Sequence, residues 1–112
     1  MNFQESKSES EIQSEIIKYL ELRQFLVIRM NSGKARNNVR LCPPGTPDLM
    51  VVSPSGLIWW IEVKTETGKL RPAQVVMIDD LQNRKQAVIV ARNIEDVRSV
   101  IDGIPKHDKK TT

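Results

Sequence analysis

Three charged side chains stand out for the chemistry they could share: Asp48, preceded by Pro47, and the Glu62-Val63-Lys64 triplet. Two facing carboxylates beside a lysine can hold a hard divalent cation and act on a phosphate ester. Oxygen ligands on rigid backbone suit Mg²⁺ or Mn²⁺, which take few protein carboxylates and keep several waters. A cation held there lowers the pKa of a bound water toward neutrality. The lysine would position the resulting hydroxide or counter the charge that develops on the phosphate. Alone, Glu-x-Lys on a strand is an ordinary solvated ion pair, worth ~0–1 kcal/mol. It becomes a site only if the chain brings Asp48 opposite Glu62.

Two strand-like segments do that. Pro47–Ser53 (PDLMVVS) and Leu57–Lys64 (LIWWIEVK) are separated by Pro54-Ser55-Gly56, a three-residue hairpin loop whose last position suits a glycine of positive φ. With Ser53 and Leu57 flanking the turn, counting back along both strands sets Asp48 directly opposite Glu62. Period-two alternation then gives one face Asp48, Met50, Val52, Ile58, Trp60, Glu62 and Lys64. The other face carries Leu49, Val51, Leu57, Trp59, Ile61 and Val63, an all-apolar set expected in the core. Like charges directly opposite across strands cost ~0.2–1 kcal/mol at a surface, and partial burial drives one carboxyl pKa upward. A cation between them relieves both.

The remaining elements frame this hairpin. Ser8 to Arg23 repeats Ile12, Ile16, Tyr19 and Leu20 at helical spacing, and Ser8 with Glu11 forms a capping box. Phe25–Met30 reads as a strand, followed by a long loop, Asn31–Thr46. Pro72 suits the first position of a helix reaching about Arg84. Gln86–Ala91 reads as a strand and Ile94–Asp102 as a last helix. The order α-β-β-β-α-β-α predicts an α/β fold, a mixed sheet flanked by helices. At 112 residues the chain fits one domain, with a core over about residues 8–102 and a polar, basic tail after it.

Composition narrows the chemistry further. One cysteine, Cys42, and one histidine, His107 in the polar tail, leave no internal disulfide framework, zinc-cysteine cluster, catalytic triad or HExxH site. No apolar run approaches the ~20 residues of a bilayer span, and no signal-peptide pattern opens the chain. A cytoplasmic protein without a membrane partner is expected. The net charge of +3 conceals an uneven layout: residues 25–45 hold Arg29, Lys34, Arg36 and Arg40 with no acid. Lys34, Arg36 and Arg40 precede Asp48 in the long loop and are candidates to hold DNA phosphates. Lys69 and Arg71 join them. Of the two adjacent tryptophans, Trp60 is the better placed for a DNA contact.

Gly45-Thr46-Pro47-Asp48, then Glu62-Val63-Lys64, then Arg71-Pro72-Ala73-Gln74 resemble the motifs of the PD-(D/E)xK nuclease superfamily. More narrowly they resemble its virus-type replication-repair nuclease (VRR-NUC) family, over about Ser8 to Asp102. The resemblance implies a restriction-endonuclease-like core. It implies that Asp48, Glu62 and the backbone carbonyl of Val63 bind the metal, that Lys64 is the catalytic lysine, and that Gln74 is an active-site polar residue. The family also presents a helix-1 carboxylate to the metal. Glu9 is favoured over Glu11 because it shares a face with Gln13 off the core stripe, while capping accounts for Glu11.

Small stand-alone members of that family, typical of phages and prophages, resemble Holliday-junction resolvases. The expectation is therefore a homodimeric, Mg²⁺- or Mn²⁺-dependent endonuclease acting on four-way or branched DNA in repair and recombination, within a bacterial or phage-infected cell. The superfamily implies products with 5′-phosphates. A two-fold dimer would supply the two related cuts that a junction needs. The alternatives are a nicking or sequence-specific endonuclease on the same core, and a non-catalytic DNA-binding module.

Overall fold

The computed structural model describes residues 6–30 and 42–104. The loop cations Lys34, Arg36 and Arg40 and the tail residue His107 lie outside them. The order is α1 (Glu9–Leu22), β1 (Leu26–Arg29), β2 (Leu49–Val52), β3 (Ile58–Val63), α2 (Pro72–Asn83), β4 (Ala87–Ala91) and α3 (Ile94–Ile101). This is the α/β order expected from the sequence.

Local chemistry sets the element ends. At the start of α1 the Ser8 hydroxyl accepts from the Glu11 N–H at 3.1 Å, and the Glu11 carboxylate accepts from the Ser8 N–H at 2.8 Å. Two donors that the helix cannot satisfy internally are thereby paired. The helix ends where Gln24 turns left-handed, at φ 66°, and Phe25 N–H closes on the Leu20 carbonyl at 2.9 Å. α2 ends the same way, with Lys85 at φ 69° and Gln86 N–H on Leu81. Both are six-to-one closures that normally recruit glycine.

The sheet runs β1-β2-β3-β4, antiparallel across the first two pairs and parallel between β3 and β4. The hairpin turns at Gly56, φ 98°, and Ser53 N–H bonds to the Leu57 carbonyl at 2.8 Å. The resulting register, Leu49 with Ile61 and Met50 with Trp60, continues to Asp48 opposite Glu62. The ordered pairing stops one step short of that pair. Pro47 has no N–H to donate, and the Asp48 side chain takes the Val63 N–H instead.

α1 and α3 cover one face of the sheet. Ile12, Ile16, Ile17 and Leu20 of α1, Leu49, Val51, Ile61, Val63 and Ala91 of the sheet, and Val97 and Ile101 of α3 form the core. Trp59 borders it, its ring centre 6.0 Å from that of Phe25. Leu57 does not join: it is 51% exposed. β1 begins at Leu26, opposite Val52, so Leu57 at the hairpin tip lies beyond the last strand pair that the helices cover. Tyr19, expected in the core stripe, is half-buried at the α1–α3 seam, where its hydroxyl donates to Asp102 and burial pushes its pKa to about 12.

Candidate active site

Asp48 and Glu62 meet on the sheet face away from that core. β3 carries Glu62 inward until only 2% of it is exposed, and α2 grips it from above. Gln74 Nε2 donates to Glu62 Oε2 at 2.9 Å, while Gln74 Oε1 accepts from the Arg71 N–H at 2.8 Å. One amide thus both closes the first turn of α2 and holds one oxygen of Glu62. The other oxygen, Glu62 Oε1, is buried with no hydrogen-bond partner.

Asp48 is held from the opposite strand, its Oδ2 accepting from the Val63 N–H at 2.8 Å. The Val63 carbonyl points to the same side of β3 as its N–H, toward Pro47. Because proline has no N–H, the ladder supplies that carbonyl no donor.

Electrostatics follow the burial. Glu62 is pushed up to about 8, first by removal from water, then by the charge of Asp48, against the opposing pull of Lys64. Asp48 is also raised, again by burial first, with the Val63 N–H and Lys64 holding it down. The Glu9 charge raises both carboxyls, so the start of α1 lies near the pair. Glu11 is engaged by the Ser8 cap. Lys64 is buried at 6% exposure, and Arg71, at the start of α2, is exposed but near enough for its charge to lower Glu62. Lys69 is exposed in the loop between β3 and α2. Among the described residues no group of three or more carboxylate, histidine or cysteine side chains converges tightly enough to cage an ion.

The donor set fits a hard divalent cation. It offers two facing carboxylates, one unpartnered buried carboxylate oxygen and one carbonyl without a ladder donor. A net positive ion there would offset the desolvation that raises both acids. Its protein ligands would be Asp48, Glu62 and the Val63 carbonyl, few enough to leave room for water.

One motif residue had no packing role on sequence grounds. Gly45 adopts φ +86°, and a methyl group there would lie 2.2 Å from the Ala73 carbonyl oxygen. The Pro43–Thr46 turn, closed by Thr46 Oγ1 donating to the Pro43 carbonyl at 2.7 Å, therefore lies directly on the first turn of α2, beside Gln74. The run Pro-Pro-Gly signals a turn, but nothing local indicates what it packs against.

The family profile of the VRR-NUC domain matches residues 6–94. A solved VRR_NUC domain superposes with a TM-score of 0.68 at 26% identity, over 86% of this chain and 97% of that one. A second, a VRR_NUC domain protein, gives 0.55 at 21% identity over 88% of each chain, which speaks for the fold alone. Among curated proteins none matches the chain.

Proposed function

The chain belongs to the VRR-NUC domain family, nucleases of the PD-(D/E)xK type, and on that premise we propose that it is a Mg²⁺- or Mn²⁺-dependent DNA endonuclease that cuts four-way or branched junctions as a homodimer. The observation that carries the reading is the Asp48–Glu62 pair, with Glu62 Oε1 buried and unpartnered.

When bound there, a divalent cation would acidify water and neutralise charge on the phosphate. The chain's own residues do the rest. Gln74 fixes the rotamer of Glu62 by holding Oε2, leaving Oε1 directed into the site. The Val63 N–H fixes Asp48 in the same way. Lys64, buried beside both acids, presents its ammonium to the attacking water and the phosphoryl oxygens. In so dry a setting a fixed positive charge acts more strongly on developing negative charge than it would in water. Exposed Lys69, in the loop before α2, and Arg71, at its start, would supply phosphate contacts that are independent of sequence.

Homodimerisation is supported by geometry of demand: a junction needs two cuts and one chain offers one site. It is also supported by Leu26 and Ile58, 60% and 42% exposed. They share the sheet face that α1 and α3 leave open, and α2 packs chiefly on β4. Shape rather than sequence recognition agrees with a small domain that has little surface for reading several bases.

The test is a substrate panel of linear duplex, nicked, flap and four-way DNA with Mg²⁺ or Mn²⁺, together with light scattering of the free protein. Preferential cutting of four-way junctions by a dimer is the expected result. Equal cutting of linear duplex would overturn the junction assignment, a monomer at micromolar concentration would overturn the dimer, and no cutting of any substrate would overturn the enzyme.

A further inference from the structure

We propose that Arg92, the residue after β4, is a positioning residue that clamps the Thr65–Gly68 turn over Lys64 and so holds the lysine in its working orientation. The inference rests on the nuclease reading only for its consequence in turnover; the clamp itself is a claim about the folded chain.

Arg92 directs one nitrogen, Nη1, at three carbonyl oxygens of a single turn: Thr65 at 2.8 Å, Glu66 at 3.4 Å and Gly68 at 2.6 Å. None of the ion pairs within 4.0 Å among the described residues includes Arg92. Its charge is thus directed at backbone dipoles, and hydrogen bonds with a charged donor are roughly twice as strong as neutral ones. The root of the side chain is fixed too. The Arg92 N–H donates to Asp96 Oδ2 at 2.9 Å, tying it to the first turn of α3.

The clamped turn lies on Lys64. A methyl group at Gly68 would stand 3.7 Å from Lys64 Cδ and 2.9 Å from Thr65 Oγ1, so the turn folds back on the aliphatic stem of the lysine. The Lys64 N–H donates to the Ala91 carbonyl at 2.9 Å, which sets Lys64 and Arg92 at adjoining positions just past the last β3–β4 pair, Val63 with Ala91. Lys64 is 6% exposed although the turn that follows it is short, polar and rich in exposed residues. Such a segment has few apolar contacts of its own to keep it closed. The Arg92 cation supplies the closure.

The test reads Lys64 directly. Metal-free protein without DNA is pulsed with an amine-acetylating reagent, and modification of Lys64 is compared by mass spectrometry with that of exposed Lys69. In the wild type Lys64 is expected to be protected relative to Lys69. In R92A its modification is expected to rise about tenfold as the turn opens locally, with the cooperative unfolding transition retained. R92K, which keeps a cation able to meet carbonyls, is expected to restore most of the protection. On a four-way junction R92A should lose kcat while KM is kept. Increased labelling with no nuclease activity even in the wild type would support the clamp and overturn only the nuclease reading. Unchanged Lys64 protection in folded R92A would overturn the proposal. If R92A does not fold, R92Q takes its place; if neither folds, Arg92 is a global folding determinant and the clamp is overturned.

Discussion

Replacing Glu62 by glutamine isolates the energetic tension at the centre of the site. In the metal-free protein the carboxyl is displaced from its ordinary 4.5 to about 8, chiefly by burial and secondly by Asp48. Below pH 4.5 the group is protonated folded or unfolded, and its ionisation contributes nothing. As pH rises from there to 8 the unfolded chain ionises while the folded chain resists, so the wild type loses stability. The loss is about 1.4 kcal/mol per pH unit, approaching roughly 5 kcal/mol above pH 8. Glutamine does not titrate. Its amide stands in for the protonated carboxyl, whose own proton on Oε1 is equally without an acceptor, since Oε2 already accepts from Gln74. Urea denaturation in chelator at pH 5, 7 and 9 reads the difference. E62Q should lie close to the wild type at pH 5 and become the more stable protein by a margin that grows through pH 7 to pH 9. A stability difference that stays constant across that range would refute the burial argument. So would one that moves the opposite way.

Other expectations test the parts around that pair. Gly45→Ala must push the first turn of α2 away from the 2.2 Å approach to Ala73 and strain a left-handed residue, costing about 2 kcal/mol or more, read as a fall in urea midpoint. Lys85→Gly relieves a left-handed position at φ 69° and should stabilise by about 1 kcal/mol in the same assay. Lys64→Ala should reduce kcat by at least about 100-fold. It should also raise the carboxyl pKa values further, since Lys64 pulls both down; carbon-13 NMR of the carboxyls would show this.

The hairpin was the most legible part of the chain. Its glycine-ended loop sets the register, and the register sets Asp48 against Glu62, because a strand's period of two permits no drift. The ends of elements were less legible. Gln24 and Lys85 occupy left-handed positions that glycine would have advertised. Leu57 followed the alternation but not the burial, since coverage depends on where α1 stops rather than on the strand's own pattern. The capping role of Glu11 was legible because a capping box has a local signature. The contacts of Gly45 with Ala73 and of Arg92 with the Thr65–Gly68 turn join residues far apart in the chain. No local spacing encodes them.

The proposed activity requires Asp48 and Glu62 to hold a divalent cation for hydrolysis. The decisive measurement is cleavage of a four-way junction by chelator-treated protein, with Mn²⁺ restored, for wild type and D48A side by side. Product is expected from the wild type only when metal is present, and none from folded D48A. Cleavage in chelator, or by D48A at the wild-type rate, would contradict it.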